Sequence, residues 1–181
     1  PLLFAAQKAL SFKKYYLVFS LQMLIMLLGF YLIAGFWVLK AANLGFLVGI
    51  LVVIPFLVLV PPYIFFIKRN VAMAPVYFIA SWLVAEYIQS YFPLGTPFYN
   101  LGNNPGVVPA LIQWYEYTGS AGGSLWILAV NFLLYKMIFS IVNREKVKPG
   151  ILVALLSVLL VPMAISIVIF NTYKEKGKVV K

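Results

Sequence analysis

Cysteine and histidine are both absent from the 181 residues, and their absence removes whole classes of chemistry. Without a thiol there is no disulfide, cysteine nucleophile or Fe–S ligand set; without an imidazole there is no histidine acid–base pair, and nearly every zinc or haem site is excluded. Acids are scarce too, with only Glu86, Glu116, Glu145 and Glu175 against fourteen Lys/Arg, for a net charge of +10. Charged residues total 10% of the chain, where a soluble domain carries about 25%. What fills the space is apolar: 64% hydrophobic residues and a mean hydropathy of +1.01. A soluble fold of this length would have too few polar residues to coat its outside, so lipid is the expected solvent.

The positive charge does not gather on one face, as nucleic-acid binding requires. It falls at the ends of apolar runs, at Lys13 and Lys14, Lys68 and Arg69, and Arg144, Lys146 and Lys148, the pattern that orients membrane helices toward the cytoplasm. No nucleic-acid partner is expected. The chain opens on Pro1, and residues 1–12 read as the tail of an earlier segment, since they lack the cleavage site of a signal peptide. A piece of a longer polypeptide is the expectation.

Five apolar runs, at about 15–39, 44–67, 71–91, 114–141 and 150–170, are each long enough to cross a ~30 Å hydrocarbon core at ~1.5 Å per residue. The expected fold is all-α, a polytopic transmembrane bundle of about five spans forming a single domain. With Lys13 and Lys14 inside, the connections at 68–70 and 143–148 are inside as well. The stretch 92–113, which holds no Lys or Arg, then falls outside. The tail with Lys174, Lys176, Lys178 and Lys181 also lands outside, against the charge bias, unless a large exported domain follows. Pro55, Pro61 and Pro62 in the second run and Pro162 in the fifth predict kinks whose freed carbonyls must find protein partners. The five runs differ in length and proline placement, so no internal repeat is indicated.

Residues 82–131 have a different texture. Trp82 and Glu86 precede a loop of prolines, glycines and aromatic residues at 92–113, followed by Gln113-Trp114-Tyr115-Glu116-Tyr117-Thr118-Gly119, Gly122-Gly123-Ser124-Leu125-Trp126 and Asn131. A non-helical backbone of this kind cannot face lipid; it lies at the outer surface or folds back into the mouth of the bundle. Its Trp and Tyr residues suit the headgroup level. Glu86 stands inside an apolar run, where a carboxylate must face the bundle and find donors. Two roles for it stand side by side: contact with a substrate, or tying down the loop through Asn or backbone N–H groups. Glu116 reads as a first-turn acid matched to a helix dipole. The small residues Gly119, Gly122, Gly123 and Ser124 read as permitting close packing. Ser81, Ser90 and Ser124 have no base at recognisable spacing, so no catalytic residue, metal or cofactor is expected in the chain.

These motifs resemble the membrane domain of apolipoprotein N-acyltransferases, most of all Bacteroidetes-like versions. The resemblance rests on Trp82, Glu86, Pro97-Phe98, Leu101-Gly102-Asn103, Ile112 to Gly119, Gly122 to Trp126 and Asn131. It implies a multi-pass protein of the bacterial inner membrane, acting in lipoprotein maturation. The family transfers an acyl chain from a phospholipid to the α-amino group of a lipoprotein's N-terminal diacylglyceryl-cysteine, by a Glu-Lys-Cys triad in an extracytoplasmic nitrilase-like domain. That domain is expected after residue 181, in cis or supplied in trans. The family often has Phe-Pro-Trp where Thr96-Pro97-Phe98 stands, and an Arg where Gln89 stands. The resemblance implies that Glu86, Pro97, Phe98, Tyr99, Asn100, Gln113, Trp114 and Glu116 shape an outer rim for the phospholipid donor and the lipoprotein. Two other classes remain open from the residues alone, a small transporter or channel using Glu86 and a membrane anchor for a partner enzyme.

Overall fold

The computed structural model describes residues 11–34, 36, 40, 45–70, 73–91 and 99–173. Regular structure among them is entirely helical. The first helix, α1 (Tyr15–Ala34), is apolar on every side. Phe19, Met23, Leu27 and Tyr31, four residues apart, make its buried stripe, while Leu17, Leu21, Ile25 and Ile33 point outward. A helix hydrophobic all round is one that meets lipid where it does not meet protein.

The second run is divided into α2 (Gly45–Leu57) and α3 (Val60–Arg69), with a break at Val58-Leu59. Pro61 and Pro62 explain the break, since neither can donate to a carbonyl in the preceding turn, and both are tolerated in the first turn of the new helix. Helix α4 (Ala74–Tyr91) follows. One end of the bundle is basic: Lys68 Nζ lies 3.4 Å from the centre of the Tyr15 ring, joining the end of α3 to the start of α1, and Arg69 stacks over Phe65.

Beyond α4 the described chain resumes at Tyr99 and forms two 3₁₀ turns, Leu101–Val107 and Pro109–Leu111. Two long helices complete the fold, α5 (Tyr115–Val142) and α6 (Pro149–Thr172). Glu116 stands in the first turn of α5, as the sequence predicts. The core is built by α1 to α4 and includes Phe56, Tyr63, Phe78 and Trp82, with Leu128 reaching in from α5. Helices α5 and α6 pack on each other, and α5 also packs on α4 and on the first 3₁₀ turn.

Among the described residues, three helices are long and apolar enough to cross a membrane, Tyr15–Ile33, Tyr115–Val142 and Pro149–Thr172. They match the first, fourth and fifth expected spans. The second expected span is two helices rather than one. The third is the 18-residue helix α4, which turns Ser81, Glu86 and Gln89 into the protein interior, as polar groups in a membrane helix must be.

Pro162 shows how a kink in lipid is satisfied. It has no N–H for the carbonyl of Val158, one turn back, and the indole Nε1 of Trp126 on α5 donates to that oxygen at 2.6 Å. Trp126→Phe should strand the carbonyl and lower stability by about 1–2 kcal/mol, read as an earlier loss of helical circular dichroism on heating in detergent. Pro162→Ala on the same background restores the missing N–H and should recover most of the loss. Equal effects of Trp126→Phe with and without Pro162→Ala would refute this link.

Candidate functional site

The end of the bundle away from Lys68 and Arg69, expected to be the outer one, is organised by Glu86, which is 3% exposed. The helical spacing of four sets Trp82 one turn below it, and the Trp82 Nε1 donates to Glu86 Oε1 at 3.0 Å. The same oxygen accepts the backbone N–H of Leu101 at 2.8 Å, fifteen residues away in the chain. Glu86 therefore ties the first 3₁₀ turn to α4. Of the two roles open from the sequence, the loop tie is the one seen among the described residues.

A second strand of hydrogen bonds runs beside the first. Ser90 Oγ donates to the carbonyl of Glu86 at 2.8 Å, and Asn100 Nδ2 donates to Ser90 Oγ at 3.2 Å. Tyr99 and Asn100 are both buried, and the Tyr99 ring lies 5.4 Å from that of Tyr31 on α1. Burial, followed by the proximity of Tyr31, pushes the Tyr99 hydroxyl up to about 12, so it stays neutral across physiological pH.

The loop is gripped from its other side by α5 and α6. Gly102 N donates to the fully buried Ser124 Oγ at 2.8 Å. A side chain at Gly102 would run into the backbone carbonyl oxygen of Ser120, and would lie 2.8 Å from Ser124 N. Gly102 is thus the small residue that lets the loop backbone lie against α5, whereas a side chain at Gly122 or Gly123 would meet Thr118, Trp114 or Tyr115 of the neighbouring turns. Gly119 breaks the helical path just above, at φ 64° and ψ −171°, a left-handed φ that favours glycine. On the far side, Trp114 N donates to the buried Ser166 Oγ of α6 at 3.3 Å.

The remaining expected site residues divide as follows. Gln113 donates from Nε2 to the carbonyl of Pro109 at 2.8 Å and so closes the second 3₁₀ turn. Trp114 packs edge-on against Tyr115 and Trp126, with ring centres 4.7 and 6.1 Å away. Glu116 is exposed and takes no part in the Glu86 network. Pro97 and Phe98 lie outside the described residues. Sequence reasoning missed Ser166 and the Ser90–Asn100 link. The signal for Ser166 was available, as a serine in an otherwise apolar run.

The hydrogen bonds at this site join one part of the chain to another. The hydroxyls of Ser124 and Ser166 accept backbone amides, and no group of three metal-ligating side chains is present among the described residues. Hydrogen-bonding capacity is left over at four buried atoms, Glu86 Oε2, Asn100 Oδ1, Trp114 Nε1 and Tyr115 OH, which have no partner among the described residues. The sequence profile of the apolipoprotein N-acyltransferase N-terminal domain matches residues 1–133. No curated protein and no solved structure matches the chain.

Proposed function

Because the chain belongs to the family of the apolipoprotein N-acyltransferase N-terminal domain, we propose that its outer rim holds a phospholipid acyl donor and a diacylglyceryl lipoprotein for acyl transfer in the bacterial inner membrane. The physical problem is one of level. A phospholipid's tails lie in hydrocarbon, its ester lies near the headgroups, and a nucleophile in water must reach that ester. A bundle that fixes a loop at this level gives the ester a defined position, which is what orientation contributes to a bimolecular step. The nucleophile belongs to a nitrilase-like domain, in cis or in trans, because this chain has no cysteine.

The observation that supports the reading is the buried Glu86 joined to the Leu101 amide, which makes the loop part of the rigid bundle. Asn100 Oδ1, next in the chain to that anchor, and Trp114 Nε1, at the other end of the loop by α6, offer an acceptor and a donor. To test the rim, this membrane domain is placed in a full-length acyltransferase and N-acylation of a model lipoprotein is followed against phospholipid concentration. Asn100→Leu and Trp114→Phe should each raise KM for the phospholipid by about three- to tenfold, the loss of one hydrogen bond, with less change in kcat. Unchanged KM values in two folded variants would rule out binding by these residues.

A further inference from the structure

The loop's depth can be measured from the opposite end of the bundle. Ser124 stands nineteen positions before Asn143 and Ser166 eighteen positions after Lys148, which at ~1.5 Å per residue is about 28 and 27 Å of helix. Asn143, Arg144 and Lys148 belong to the polar, basic turn between α5 and α6, which is held at the membrane surface. The hydrocarbon core is ~30 Å thick, so both serines lie at its far edge. Ser124 binds Gly102 N and Ser166 binds Trp114 N, and the two ends of segment 102–114 are therefore held in that same plane.

Between these ties the chain has no charged residue, and its most exposed apolar side chain is Val107, at 88%, followed by Val108. An aqueous loop has no use for an uncharged turn presenting two adjacent valines at this depth, whereas the boundary of the acyl chains suits it. Backbone at that depth is tolerated only when its polar groups find protein partners. Glu86 and Ser124 supply them for the amides of Leu101 and Gly102.

We propose that the 3₁₀ segment 101–111 is an interfacial wedge, inserted in the outer leaflet with Val107 and Val108 against the upper acyl chains. This deepens the rim reading by naming the lipid that touches it, but rests only on the spans crossing a bilayer. It can therefore fail while the acyltransferase reading stands, and the reverse.

The chain lacks cysteine, so Val107→Cys or Val108→Cys offers a single attachment point for a polarity-sensitive fluorophore. The full chain is reconstituted in phosphatidylcholine vesicles bearing nitroxide lipids labelled at acyl carbon 5 or 12. Asn143→Cys serves as the aqueous reference and Leu156→Cys, eight positions past Lys148 and so about 12 Å along the helix, as the deep one. Both valine sites should emit to the blue of Asn143→Cys and be quenched at least twofold more by the carbon-5 label than by the carbon-12 label. Leu156→Cys should show the reverse order. Iodide quenching equal to that at Asn143→Cys would overturn the proposal, as would shielding from iodide and nitroxide lipid alike, which would mean a protein cover.

Discussion

Gly102→Ala is expected to unseat the loop, although it adds a single methyl group. That methyl is directed at the carbonyl oxygen of Ser120 and at Ser124 N, both backbone atoms of α5 that cannot swing aside as a side-chain tip would. Overpacking of this kind typically costs about 1–3 kcal/mol. The displaced turn would also lose the Gly102–Ser124 hydrogen bond, leaving a polar backbone group without its partner. The expected result is an earlier thermal loss of helical circular dichroism in detergent, and faster proteolysis between residues 99 and 113 in vesicles. Gly106→Ala is the control, because a methyl there meets nothing within 4 Å. Identical behaviour of the two variants would mean that the close approach to α5 does not hold the loop.

Glu86→Ala should be the most damaging single truncation at the outer end. It leaves the Trp82 indole N–H and the Leu101 amide without their acceptor, at about 1–3 kcal/mol for each stranded group, and opens a void in a site where Glu86 is 3% exposed. Glu86→Gln keeps a carbonyl oxygen at nearly the same place and should retain most of the stability. In a full-length acyltransferase the same order is expected for N-acylation, with Glu86→Ala at least tenfold below Glu86→Gln. An alanine variant as stable and active as the wild type would show that the loop is held by something else. Glu116, exposed in the first turn of α5, gives the contrast: Glu116→Gln should shift thermal stability by less than about 1 kcal/mol.

The class of fold was legible because lipid imposes so few options. Long apolar runs ended by basic turns read directly as α1, α5 and α6, within one or two residues at the ends given for α5 and α6. The second run was harder, since apolarity measures whether a segment can sit in lipid and not whether its helix is continuous. Pro61 and Pro62 signalled a kink, and a kink became a break because two consecutive residues lack amides. At the site, the sequence singled out Glu86 but left its role undecided, because its partners Trp82 and Leu101 come from spacing in one case and from tertiary packing in the other. Helical periodicity exposes the first partner. Nothing local exposes the second, nor the distance from Trp114 to Ser166 across fifty-two positions. The rescue of Val158 by Trp126 was predictable as a need, though the donor's identity depended on how α5 docks against α6.

Glu86, Ser124 and Ser166 fasten the loop through its main-chain amides, and Ser90 adds a bond to the side chain of the buried Asn100. Shape and surface are thereby uncoupled. Exposed positions such as Asn104, Val107 and Val108 can change their chemistry without loosening the frame, so selection acting on membranes of different composition would find at this turn a place to adjust affinity that leaves the architecture intact.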